Sequence, residues 1–155
     1  MQAQLIEAWR TNNRINMLLI DRITDEGMPC TLSKRGGRGV AGEFAHIHNV
    51  RVWHLQKRAK DLAQGLAIFE TKVVPTKAQL RKALKASAKG VEALLVGVLN
   101  GEPKRRGFKK GLFTTLAYFV AHEAHHRGRI LLTLKVSGQT LDKETQMAIW
   151  GWDQV

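Results

Sequence analysis

His122-Glu123-Ala124-His125-His126-Arg127-Gly128 places three histidines within five residues of a long run that otherwise follows helical periodicity. Residues four apart in an α-helix lie roughly 40° apart around the axis, so His122 and His126 share a face and can offer two imidazole nitrogens to one ion. A divalent metal is therefore the first reading. A third ligand has to come from His46, His48 or His54, the remaining histidines, which share one earlier segment of helical periodicity. The pattern predicts two helices facing each other across a cation.

Working outward, Pro29, Pro75 and Pro103 divide the chain into four pieces, each proline standing where a fixed φ and a missing N–H end a helix. The first piece, about Gln2 to Asp25, repeats Leu5, Trp9, Leu19 and Ile23 with a polar interruption at Asn12 and Asn16. Lys34-Arg35-Gly36-Gly37-Arg38-Gly39 is a flexible basic loop. A second helix is predicted from Val40 to about Leu66 through Phe44, Ile47, Val52, Leu55 and Leu62, and it carries His46 and His48. Thr76-Lys77-Ala78-Gln79 matches a capping box and starts a third helix, which stops at Asn100-Gly101. A second basic loop, Lys104 to Lys110, leads into the last long helix, about Gly111 to Lys135, and a short helix from Asp142 to Trp150 follows. No stretch alternates with a period of two for long enough to make a strand. Four amphipathic segments, each about 36 Å long at 1.5 Å per residue, predict an all-α four-helix bundle with a short C-terminal helix, and bundle cores commonly hold metal sites built from facing helices.

The chain's 155 residues suit one domain, residues 1–155. One cysteine, Cys30, precludes an intramolecular disulfide, the first twenty residues carry charges, and no window approaches the roughly 20 apolar residues of a membrane span. The expectation is a cytoplasmic protein without a membrane partner. Twenty-five Lys and Arg against thirteen Asp and Glu give a formal charge of +12, which favours polyanions without dictating fold. Lys77, Arg81, Lys85 and Lys89 recur every four residues; a solvated face is the plainer reading and an anion-binding stripe the functional one. No aromatic residues interleave with these charges to stack bases, which argues against nucleic acid.

His122-Glu123-Ala124-His125-His126 also matches the H-E-x-x-H pattern of zinc peptidases, whose glutamate serves as general base. Those enzymes set the motif beside a substrate-holding sheet, and no such sheet is predicted here. The plainest alternative is a histidine cluster on a solvated helix face. His48 lies with Ala41, Phe44, Val52 and Leu55 on the more apolar face of the second helix, whereas His46 lies nearer Val50 and Trp53, and periodicity alone does not choose between them.

Glu43-Phe44-Ala45-His46-Ile47-His48 followed by Trp53, and His122-x-x-x-His126-Arg127-Gly128 followed by an apolar run and Trp150-Gly151-Trp152, together resemble the DinB/YfiT-like family of metalloenzymes over essentially the full chain. The resemblance implies an up-down-down-up bundle, often a homodimer, with one divalent metal held by His46, His122 and His126, His46 taking the ligand position after Ala45. Three neutral imidazoles leave coordination positions open, as a catalytic site needs. They suit Zn, Ni, Fe or Mn alike. The resemblance further implies a transferase that joins a low-molecular-weight thiol to an electrophilic small-molecule substrate; the alternatives are a metal-dependent hydrolase and a non-catalytic basic binding module. Glu43 and Glu123 are candidates to orient imidazoles or to be exposed carboxylates. His125 is expected in an outer or surface position and His54 at the surface, and Arg127 as an anion-binding group or a structural ion pair. Cys30, in the first loop, is not expected to act as nucleophile.

Overall fold

A computed structural model describes residues 1–33, 35 and 37–155. The helices are α1 (Gln2–Arg22), α2 (Gly39–Arg58), α3 (Lys77–Leu99), α4 (Leu112–Val136) and the short α5 (Lys143–Ala148), with one 3-10 turn at Lys60–Ala63. Among the described residues there is no strand, only a lone bridge between Phe108 and Gly111. Lys34 and Gly36 of the first basic loop lie outside the described residues.

Two apolar clusters fix the directions of the helices. One gathers Leu5 and Trp9 of α1, Leu55 of α2, Val91 to Leu95 of α3 and Phe119 of α4. The other gathers Ile15 to Ile23 of α1, Val40 to Ile47 of α2, Leu80 and Leu84 of α3, and Ile130 and Leu134 of α4. Following each helix from one cluster to the other gives up, down, down, up. The bundle is thus the expected one, with α2 and α3 parallel, and parallel neighbours need a long crossover, here residues 59–76. At Gly90 the parallel pair comes so close that a Cβ would lie 2.6 Å from Leu55 Cδ1.

The caps follow local chemistry. Thr76 accepts from the Gln79 N–H, and the Gln79 side chain accepts in turn from Thr76 N, the expected capping box. Asn100 closes α3, and Gly101 takes the positive φ of 70° that a side chain would resist. Two boundaries differ from expectation. The first helix ends at Arg22 rather than Asp25, because the Thr24 hydroxyl accepts from Gly27 N at 3.1 Å and turns the chain. The second ends at Arg58 rather than Leu66: the Arg58 carbonyl accepts from Arg106 N at 3.1 Å, and its guanidinium donates to the Gly107 carbonyl at 2.6 Å. The second basic loop thereby takes the place of the next helical turn. No helix is long and apolar enough to cross a membrane among the described residues.

Between the apolar clusters lies a buried polar layer. Glu123 of α4 is 0% exposed and accepts from Arg51 Nε at 2.7 Å, Arg51 Nη2 at 2.8 Å, Asn12 Nδ2 at 2.7 Å and Asn16 Nδ2 at 2.8 Å. Burial opposes its charge, but Arg51, Arg127 and Asn16 outweigh burial and hold the carboxyl below its ordinary range. Arg51 also donates to Asn13 Oδ1 and the Leu84 carbonyl and lies 4.8 Å from the Trp9 ring centre. The polar interruption at Asn12 and Asn16 is α1's contribution to this layer.

Candidate metal centre

α2 and α4 pack against each other, and the contact brings His46 of α2 to the His122/His126 face of α4. One nitrogen from each ring lies within 4.8 Å of the other two. The ring centres are 4.6 Å apart for His46 and His126, 5.4 Å for His46 and His122, and 4.5 Å for His122 and His126.

Glu43 sits three residues before His46, almost one turn, which points it at the same helix. Its Oε2 lies 2.5 Å from His126 Nδ1, while Oε1 accepts from Arg129 Nε at 3.0 Å and Arg38 Nη1 stands 3.5 Å from Oε2. Burial would raise the Glu43 pKa, but the hydrogen bonds from His126 and Arg129 overcome it and leave the pKa at about 2. An ionised Glu43 requires the hydrogen on His126 Nδ1, so Nε2 presents its lone pair to the centre. That nitrogen is 3.1 Å from His122 Nε2. If His122 donates a hydrogen there, its own buried Nδ1 becomes a bare acceptor without a partner. A cation between the two Nε2 atoms would turn their close approach into shared ligation, with the His122 hydrogen moved to Nδ1, so the donor set fits a divalent metal.

Burial, aided by neighbouring Arg38 and the other imidazoles, lowers the His46 pKa to about 4; burial, with His126 beside it, does the same for His122. Both rings are neutral at pH 7, as ligation requires. In metal-free protein the unfolded imidazoles take up protons near pH 6.5 while the folded ones resist to about 4. Stability should therefore fall as the pH drops through that window. Denaturant midpoints across pH 4–7 check this: the slope should be clear in wild type and roughly halved in His46→Gln.

His48 does not join the triad. It is 1% exposed, with Nδ1 3.0 Å from the Ala83 carbonyl and Nε2 2.9 Å from the Ala67 carbonyl. Each nitrogen faces a backbone carbonyl, one on α3 and one on the crossover, and the neutral ring donates to one of them at a time. Asn49 beside it exchanges two 2.9 Å hydrogen bonds with the backbone of Phe69. His48 and Asn49 thus strap the crossover to α2.

The remaining candidates divide between the expected alternatives and departures from them. Glu123, 100° around the helix from His122, orients no imidazole and belongs to the polar layer. Arg127 is buried and donates to Asn16 Oδ1 at 2.9 Å, which makes it structural. His54 is not at the surface: its Nδ1 accepts from Arg58 Nε at 3.2 Å, and its ring packs on Phe108, Tyr118 and Phe119. His125 is exposed, as expected. In the basic stripe Lys77 and Arg81 pair with Asp25 and Asp21, while Lys85 and Lys89 face solvent. Sequence reasoning passed over Tyr118, whose ring lies within 15° of parallel to His122, and the whole crossover. A cleft of about 520 Å³ opens beside His46, between α2 and crossover residues 68–74.

A family model for DinB proteins matches residues 1–143. The chain belongs to the DinB family. No curated protein and no solved structure gives a significant match. In this DinB protein His46, His122 and His126 converge in space and could hold a metal ion.

Proposed function

We propose that His46, His122 and His126 hold one divalent metal and that the centre transfers a low-molecular-weight thiol to an electrophilic small molecule. The convergence of three imidazoles within 4.8 Å, one of which, His46, lines a cleft, carries this reading. A bound divalent cation stabilises a thiolate at neutral pH and so supplies a strong nucleophile.

The chain's own residues divide the remaining work. Glu43 fixes the His126 tautomer. Trp53, edge-on to His46 at 6.1 Å, and Tyr118, stacked on His122, shield the rings from bulk water. Thiol transfer is favoured over hydrolysis because both carboxylates flanking the triad are committed, Glu43 to His126 and Arg129, Glu123 to Arg51 and two asparagines. Neither is placed to serve a water as general base. Cys30 lies away from the triad with its thiol 3.4 Å from the Glu26 carbonyl, so the sulfur comes from a diffusible partner.

The test is to load the protein with Zn or Ni and add small thiols with a model electrophile. Metal–sulfur scattering in X-ray absorption and conjugate formation are expected. Water-dependent hydrolysis without thiol ligation would reject transfer in favour of a hydrolase. We further propose a homodimer, because Leu132, Val136 and Met147 are exposed and Trp150 is 77% exposed, all toward one end of the bundle. Light scattering should give about twice the chain's 17.4 kDa; a monomer mass at tens of micromolar rejects it.

A further inference from the structure

The cleft beside His46 is a built wall and not a loose gap. Its outer side is the crossover, anchored through backbone groups of Ala67 and Phe69 by the side chains of His48 and Asn49. Ala41 and Ala45 of α2 line the inner side. Trp53, Ile68, Val73 and Val74 also line it while remaining between 45% and 67% exposed. Four large apolar side chains left in water around one concavity mark a binding surface more than a packing remnant. The volume of about 520 Å³ is that of a small-molecule site and too small for a folded partner.

Arg38 reaches this hydrocarbon surface from the metal side, while the crossover brings a second cation, Lys72, and a carboxylate, Glu70, to the same lining. Arg38 lines the cleft, its side chain is 41% exposed, and its ion contact among the described residues is the loose 3.5 Å approach to Glu43. Gly42 lets Arg38 lie along α2, since a Cβ there would come within 2.6 Å of Arg38 Cγ. Glu43 is already paired with the closer Arg129 and hydrogen-bonded by His126, so the Arg38 guanidinium retains capacity for a second anion.

We infer that the cleft binds an apolar organic acid, its carboxylate drawn to Arg38 and its hydrocarbon body lying between Trp53 and crossover residues 68–74. This names the electrophile's class for the centre proposed above and rests on that reading for the compound's role as substrate. Binding in the cleft does not depend on the metal.

The probes are butanoate, hexanoate and octanoate with the matching primary alcohols, titrated by calorimetry into Zn-loaded and metal-free protein. Affinity should rise about 3- to 4-fold per methylene added, and each carboxylate should bind at least 5-fold more tightly than its alcohol. Ile68→Asp and Val73→Asp, at exposed positions that leave the core intact, should each weaken octanoate binding more than 10-fold with zinc stoichiometry and helicity unchanged. Arg38→Gln should erase the preference for carboxylate over alcohol. Affinity independent of chain length, or aspartate variants that bind octanoate like wild type, would overturn the inference. Zinc bound at one equivalent without a chain-length trend would sink the cleft proposal alone. A chain-length trend in protein that takes up no zinc would sink the metal reading and leave the cleft standing.

Discussion

Glu123→Ala is expected to lower the unfolding free energy by about 3–5 kcal/mol, because it strands the fully buried Arg51 guanidinium without its counter-charge. Asn12 and Asn16 would lose their acceptor as well. With a urea m-value of roughly 1–3 kcal/mol/M for a small protein, the denaturation midpoint should fall by about 2 M. Replacing both partners, Arg51→Met with Glu123→Leu, should recover a good part of the loss, since hydrocarbon of similar volume removes the desolvation cost together with the attraction. Recovery stays partial because Arg127 also depends on the Glu123 charge. A single-variant loss below about 1 kcal/mol would mean that water reaches the layer and that the ion pair is not the dry contact described.

Metal content should separate His126 from His48 sharply. His126→Ala is expected to reduce metal affinity by more than the roughly 10–100-fold typical of losing an outer hydrogen-bond partner, and Glu43→Gln to fall within that range. His122→Ala and His46→Ala should resemble His126→Ala. His48→Ala should keep its metal and instead lose about 1–3 kcal/mol of stability, since it removes the N–H donor that serves the Ala67 or Ala83 carbonyl together with the buried ring. Elemental analysis after dialysis against a weak chelator, with denaturation curves on the same samples, gives both readouts. Full metal content in His46→Ala and none in His48→Ala would reverse the ligand assignment.

Much of this was legible beforehand, for identifiable reasons. Three prolines, one capping box and four apolar stripes delimit the helices because each acts over a few residues. The His122/His126 pair was visible because α-helical spacing alone aligns it. Periodicity correctly placed His48 on the apolar face, and that placement is the physical reason it stands apart from the triad: it is buried toward α3 and the crossover. The sequence did not reveal that Ala67 and Ala83 supply carbonyls there, because backbone acceptors carry no side-chain signature. Glu123 was misjudged although the signals existed. Asn12, Asn16, Arg51 and Glu123 each interrupt an otherwise apolar helix face, and polar interruptions on three different helices point to a shared buried layer. The early end of α2 depends on the Arg106 and Gly107 backbone, nearly fifty residues away, and no local pattern reports that.

The way the crossover is fastened separates its attachment from its identity. His48 and Asn49 grip it through the Ala67 carbonyl and the Phe69 amide and carbonyl, groups that every residue except proline provides in full. The segment after these anchors can therefore change its side chains without loosening the joint and without touching the histidines on α2 and α4. Residues 70–74 form an exchangeable cassette beside the histidine triad, and grafting in polar or charged sequences there should change what the cleft accepts while leaving the proposed metal centre untouched.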